Sequence, residues 1–229
     1  MSCNSDESRQ EQVEKLRALG VSIQPLAAAP GTLVVMTYFL AGPPGLVLKT
    51  EVFADSDSNV ALNAPSSVDN TSLKETNFGN LSLYQFSGNV TIPVEAQSFL
   101  FGPTPVRSRY GARVSSTAGD EQKIVGDILI YNPGSKELLY SSPTVNIVDP
   151  TAQVLTAGAV QSVNLNYNPV NNENFRVGWF VSGGQIKNRR AKSTDWTVPS
   201  NAGSHTLIAT LRGVKSAAFS IKVIQVTVQ

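Results

Sequence analysis

From Val21 to the C-terminus, short runs rich in Val, Ile, Leu, Thr, Tyr and Phe alternate with clusters of Gly, Pro, Asn, Asp and Ser. Within the runs the apolar positions recur at every second residue, the period of a strand with one buried face. In VRSRYGARV, Val106, Ser108, Tyr110, Ala112 and Val114 share one face, while Arg107, Arg109 and Arg113 share the other. One side of such a strand packs and the other meets water. NFRVGWFVSGG repeats the pattern with Phe175, Val177, Trp179 and Val181, and QSVNLNYN with Val163, Leu165 and Tyr167. The pattern predicts strands over 33–40, 46–53, 81–86, 90–94, 106–114 and 124–131. A second set follows over 163–167, 175–181, 194–198, 206–211 and 219–228.

The first residues read differently. In DESRQEQVEKLRAL, residues 6–19, Val13, Leu16 and Leu19 stand at three-residue steps among charged neighbours, and Gly20 is well placed to stop a helix. The spacing predicts a short helix or a disordered tether. A helix of about 14 residues is marginal in water, so this one is ordered only if its apolar residues dock on the body. The second set of strands, with turn signals every eight to twelve residues, fits an immunoglobulin-like sandwich of about seven strands. The first set has room for a similar sandwich with longer loops. The expected chain is therefore all-β, two immunoglobulin-like β-sandwich domains in tandem after a short N-terminal tether or helix. Its divisions are 1–20, 21–142 and 143–229, with Ser-Ser-Pro at Pro143 as the linker. No internal repeat is readable between the halves.

The stretch FRVGWFVSGGQIKNRRAKSTDWTVPSNAGSHTLIATLRG, from Phe175, resembles immunoglobulin-like or PKD-like modules of bacterial envelope proteins. It shares with them a Trp in the third strand, a Gly-Gly turn, a second Trp before a proline and an AG-x-x-T-L approach to the sixth strand. KLRALGVSIQPLAAAPGTLVV is similar to the segment that follows the anchor in some Gram-negative lipoproteins. Two features depart from vertebrate immunoglobulin domains. The inter-sheet disulfide has no cysteines to form it, and His205 stands where a tyrosine begins the sixth strand; Tyr110-Gly111-Ala112 keeps the Tyr-x-small spacing in the first half.

Composition narrows the chemistry. With 229 residues, 41% hydrophobic and 15% charged, the chain can bury a substantial core. Its 18 Lys and Arg against 17 Asp and Glu leave +1, so no global field draws it to nucleic acid or an anionic bilayer, and electrostatic recognition must be local. One Cys and one His exclude an internal disulfide and Cys/His zinc spacing. The longest apolar stretch, LVVMTYFLAGPPGLVL, is broken at its middle by Gly-Pro-Pro-Gly and is too short to span a bilayer.

Cys3 lies in the polar run MSCNSDESRQEQ, preceded by Ser2. A small residue there resembles the position before the lipidated cysteine of a bacterial lipobox, with Met1 standing where a leader has been removed. Lipid on Cys3 would hold the chain to a membrane, each buried CH2 contributing about 0.8 kcal/mol. Asn4, in place of the Asp that retains enteric lipoproteins in the inner membrane, favours an outer-membrane address in the cell envelope, on its periplasmic or its surface side. KNRRAK puts Lys187, Arg189, Arg190 and Lys192 on one loop or hairpin, a contact for an anionic envelope polymer; no aromatic interleaving suits it to nucleic acid. DSDSN offers Asp55, Asp57 and Asn59 as alternate oxygen ligands, but Val60 and Ser66 stand where a calcium loop needs Gly and Glu, so a polar turn is expected. Trp179 is expected in the core, and Trp196 too.

His205 lacks a nucleophile turn nearby, and Asp127 and Asp149 show no pairing, so neither a hydrolytic site nor a cofactor is expected. The expected function is a non-catalytic, lipid-anchored envelope protein acting as a binding or structural module. A secreted adhesin or carbohydrate-binding module is the alternative, and an enzyme or enzyme accessory domain is the third. Its partners would be the membrane, through Cys3, and another envelope protein or an anionic envelope polymer.

Overall fold

A computed structural model describes residues 13–54, 73–100, 105–133, 144–151, 153–168, 173–214 and 218–229. The first half contains β1 (Arg17–Gln24), β2 (Ala27–Ala28), β3 (Leu33–Gly42), β4 (Leu48–Ala54), β5 (Lys74–Asn77), β6 (Ser82–Thr91), β7 (Val106–Ser116) and β8 (Glu121–Ile130). They form two sheets, ordered β1-β3-β6-β5 and β2-β8-β7-β4. The second half contains β9 (Val145–Asp149), β10 (Val154–Leu155), β11 (Val160–Tyr167), β12 (Phe175–Val181), β13 (Gln185–Ile186), β14 (Ser193–Thr197), β15 (Gly203–Gly213) and β16 (Phe219–Val228). Its sheets are ordered β13-β14-β11-β9 and β10-β16-β15-β12.

Lettered A to G, both halves have the A-B-E-D sheet facing C-F-G that defines the immunoglobulin-like sandwich. In both, a two-residue strand after the first crosses to pair in parallel with the last, β2 on β8 and β10 on β16. The cis bonds Gln24–Pro25 and Asp149–Pro150 lie at these equivalent crossings. The chain is thus all-β, two immunoglobulin-like sandwiches in tandem. A repeat invisible in sequence is plain in topology. The chain passes between the units after Ile130 and before Val145; Pro143, the expected boundary, lies outside the described residues.

Each sandwich encloses its own core. Val34, Met36, Tyr38 and Leu40 of β3 meet Tyr110, Ala112, Val114 and Ile124 in the first, and Trp179, Trp196, Leu207 and Leu211 fill the second. Strand alternation then predicts solvent beyond the odd positions of β3, but Phe39 and Ala41 lie in a third apolar cluster. There, Val13, Leu19, Ala41 and Leu81 of the first unit are buried with Ile208 and Phe219 of the second, flanked by Phe180, Ile221 and Val223. The Phe39 and Phe219 rings are 5.4 Å apart. Two hydrogen bonds cross beside them, from Val13 N to Val181 O (3.0 Å) and from Thr206 Oγ1 to Phe78 O (3.2 Å). At this junction each of the two facing sheets therefore buries apolar residues on its second face as well.

Of the short helix or disordered tether expected over 6–19, the described part, from Val13, forms neither a helix nor a free tether. Residues 13–16 have no regular structure, and Arg17–Gln24 is a strand paired with β3. A β-bulge between Ala18 and Gly20 makes Leu19 the extra residue. Leu16, Val21 and Ile23 face the first core, while Leu19 turns into the junction with Val13. The three-residue spacing that mimics a helical stripe here comes from an irregular lead-in carrying Val13 and Leu16, followed by one bulge at Leu19. The docking on which order depended does occur, as a strand. Gly20 stops no helix; it lies so close to the Phe219 ring that a Cβ would overlap it.

Strands expected over 81–86 and 90–94 are one strand, β6, whose Ser87-Gly88-Asn89 continues the ladder opposite Thr37, Met36 and Val35. The polar edge strand β5, exposed along its length, carries no apolar alternation to reveal it.

Candidate functional site

The KNRRAK segment joins β13 to β14 and is fixed by its backbone. Gly184, at φ +78°, lies in the turn out of β12, where a Cβ would run into Thr197 O, Trp196 and Pro199. Lys187 N–H donates to Asp195 O (2.9 Å), and Asn188 N–H to Thr194 Oγ1 (2.9 Å). Asn188 Oδ1 then accepts from Arg190 N–H (3.0 Å). The segment bonds both sheets: Trp179 N–H donates to Arg189 O and Leu165 N–H to Lys192 O, each at 3.0 Å. Trp179 Nε1–H donates to Ala191 O at 2.8 Å. This cover blocks part of the open edge of β12.

The four cations point to different surroundings. Lys187 pairs with Asp195 at 3.3 Å, and Lys192 Nζ lies 5.2 Å above the Tyr167 ring. Arg189 and Arg190 instead line a cleft of about 290 Å³ with Arg176, Arg212, Leu19, Phe180 and Thr210. Arg176 and Arg212 stand directly opposite each other on β12 and β15, on the face turned from the core. Like charges at such positions repel. Among the described residues, none of these four arginines is ion-paired with a carboxylate.

The floor of the cleft is open because residue 178 is glycine. A Cβ there would come within 2.5 Å of Thr210 Oγ1. Arg212 Nη2 reaches across to Val125 O of the first unit (3.3 Å), which places this guanidinium at the junction. A smaller hollow of about 150 Å³ adjoins, lined by Arg176, Arg212, Val21, Gly126 and Asp127. Among the described lining residues of both hollows Asp127 is the acidic one, and it already holds Arg109 at 2.8 Å and Arg107 at 4.0 Å. A chain of net charge +1 thus concentrates positive charge at one place.

The anticipated loop patch is accordingly divided: Arg189 and Arg190 join two arginines that the loop reading missed, and Lys187 and Lys192 do not. Arg176 and Arg212 each sit opposite inward residues in their strands, which sequence alternation does show. That they face each other depends on strand register, which it does not. Cys3, Asp55, Asp57 and Asn59 lie outside the described residues. Among the described residues no cluster of His, Cys, Asp and Glu could hold a metal ion, and no helix is long and apolar enough to cross a membrane.

Both tryptophans are fully buried, so neither is a surface platform for a sugar ring. His205 is also buried. Its Nε2 lies 3.1 Å from Asn201 O, and because a carbonyl only accepts, Nε2 carries the hydrogen. This bond runs back to the chain four residues upstream, as the tyrosine of an immunoglobulin corner does. The geometry supports a structural-corner role for His205.

No family model and no curated protein matches the chain. Among solved structures, the Clostridium thermocellum CbhA fibronectin(III)-like modules align over 91% of this chain and 92% of theirs, at 14% identity and a TM-score of 0.34. DIP-gamma IG1+IG2 aligns over 94% of this chain and 98% of its own, at 13% identity and a TM-score of 0.28. A nucleoside hydrolase-related hypothetical protein from Saccharophagus degradans, associated with carbohydrate metabolism, aligns over 39% of this chain at 19% identity and a TM-score of 0.35. This chain spans 26% of that protein. Such distant likenesses carry no functional argument, and the strand order stands on the pairing itself.

Proposed function

We propose that the chain is a non-catalytic binding module of the bacterial cell envelope, held at the outer membrane by lipid on Cys3. Its two sandwiches act as one body that presents the junction cleft to an anionic envelope component. The observation that carries this reading is the junction itself. An apolar cluster centred on Phe39 and Phe219 holds the units together, and four arginines that pair with no carboxylate among the described residues gather beside it. A surface made jointly by two domains keeps its shape only if they stay docked, and buried aromatic contacts supply that. The polar run after Cys3 suits a solvated tether.

The test of anchoring is expression behind the native leader, comparing the wild type with Cys3→Ala by detergent partitioning and incorporation of labelled palmitate. The wild type should enter the detergent phase labelled, and the variant should stay aqueous and unlabelled. If both stay aqueous and unlabelled, the lipid anchor is wrong. Binding is tested separately, by co-sedimentation of the chain with isolated envelopes. Salt should weaken it steeply, because exposed charges are screened within about 10 Å at 0.1 M ionic strength.

A further inference from the structure

We infer that the junction cleft is a binding site for a phosphorylated sugar, with Arg176 and Arg212 holding the phosphate. The inference rests on the binding-module reading and gives its ligand a chemistry.

Two arginines stand directly across neighbouring strands, and among the described residues neither is ion-paired with a carboxylate, Asp127 of the adjoining hollow being held by Arg109 and Arg107. Such a pair costs stability in the empty protein, and an oxyanion seated between the guanidinium groups removes the cost. Each guanidinium is a planar fork that matches the oxygens of a phosphate in bidentate fashion. Arg189 and Arg190 add two more cations to the same cleft, on a loop whose backbone is bonded to both sheets. Four cations complement a dianionic phosphate monoester better than a singly charged carboxylate. The edge of β12 adds a neutral donor. Trp179 N–H points outward to Arg189 O, so the strand period turns the Val177 N–H outward too, beside the cleft that Val177 lines.

Size and lining extend the argument from phosphate to sugar. The cleft, about 290 Å³, is larger than a phosphate needs and stands at the lower end of small-ligand pockets. Leu19 and Phe180 provide an apolar wall, and Thr210 a hydroxyl. An apolar wall with a hydroxyl suits a sugar, whose C–H faces are apolar and whose rim is polar. Gly178 is required for the space, since a side chain there would meet Thr210. The ligand could be a free sugar phosphate or a phosphorylated residue of an envelope polysaccharide. Both present the same group to the arginines.

The test is calorimetric titration of the full chain with a hexose 6-phosphate, the unphosphorylated hexose and inorganic phosphate, and with a phosphorylated lipopolysaccharide core oligosaccharide before and after phosphatase treatment. At least one phosphorylated sugar should bind saturably and more tightly than inorganic phosphate, and its unphosphorylated form should not bind. Which of the two binds better identifies the source. Arg176→Gln and Arg212→Gln should each weaken binding about tenfold or more, while Lys187→Gln leaves it unchanged. Without ligand, Arg176→Gln should melt no lower than wild type, because it relieves repulsion; a purely structural arginine would lower the melting temperature. Binding by neither phosphorylated sugar, equal binding of the phosphatase-treated form, inorganic phosphate binding as tightly as either sugar, or full affinity in Arg176→Gln each overturns the site. If envelopes still co-sediment with the double variant Arg176→Gln/Arg212→Gln, the cleft is wrong and the binding-module reading stands. If the wild type never sediments with envelopes, that reading fails instead.

Discussion

Replacing Phe219 by alanine should loosen the two sandwiches from each other before it disturbs either core. Phe219 is 4% exposed and contributes to neither of the two sandwich cores; its ring lies against Phe39 and Gly20 of the first unit. Deleting a buried Phe ring costs about 3–5 kcal/mol, of which its pairing with Phe39 at 5.4 Å accounts for about 0.5–1.5 kcal/mol. For a chain of this length each kcal/mol lowers the melting temperature by about 2–4 °C, so the fall should be roughly 6–20 °C. Scanning calorimetry is the assay. Wild type should melt in one transition, and Phe219→Ala should show two, as each sandwich keeps its own core. A second variant tests the geometry. Gly20→Ala alone should destabilise, because its Cβ overlaps the Phe219 ring. In the Phe219→Ala background the same methyl enters vacated space, and the cycle should show favourable coupling of about 0.5–3 kcal/mol. A single unshifted transition in Phe219→Ala, or strict additivity of the two changes, would refute the docked junction.

Three further outcomes are expected. Burial pushes the Tyr38 phenol far above its usual range; the native state then keeps a proton that the unfolded chain loses, so stability is whole below about pH 10 and falls as pH rises from there. Urea midpoints at stepped alkaline pH check this, and Tyr38→Phe should flatten the decline. His205→Ala removes the bond to Asn201 O and should cost about 1–3 kcal/mol in chemical denaturation, with faster hydrogen exchange over 199–205. Trp179→Phe keeps most of the buried ring but loses the bond to Ala191 O. It should cost about 1 kcal/mol and raise hydrogen exchange across 187–192.

How much of this was legible depends on the range of the interaction. Strands β12 and β16 appear in sequence with both ends correct, since each is a clear apolar run bounded by turn residues. The inward placement of Trp179 follows from the same period-2 rule. The bulge at Leu19 was illegible because one inserted residue breaks the period-2 alternation that marks a strand. The candidate site was half legible: Arg189 and Arg190 are neighbours in a visible cationic run, whereas Arg176 and Arg212 are 36 positions apart and meet only through the register of β12 on β15.

By itself, the sequence determined the class of the fold, the inward and outward faces of its longer strands, and that these residues hold neither an internal disulfide nor a Cys/His zinc spacing. These follow from residue type and local period, which act over a few positions. Tertiary structure alone decided that the two halves share one strand order, that the outer face of a sandwich sheet is covered by the other unit, and that scattered arginines converge beside that contact. Pairing order and sheet-on-sheet packing join residues far apart in the chain, and alternation tells which face of a strand is apolar but not what lies against it.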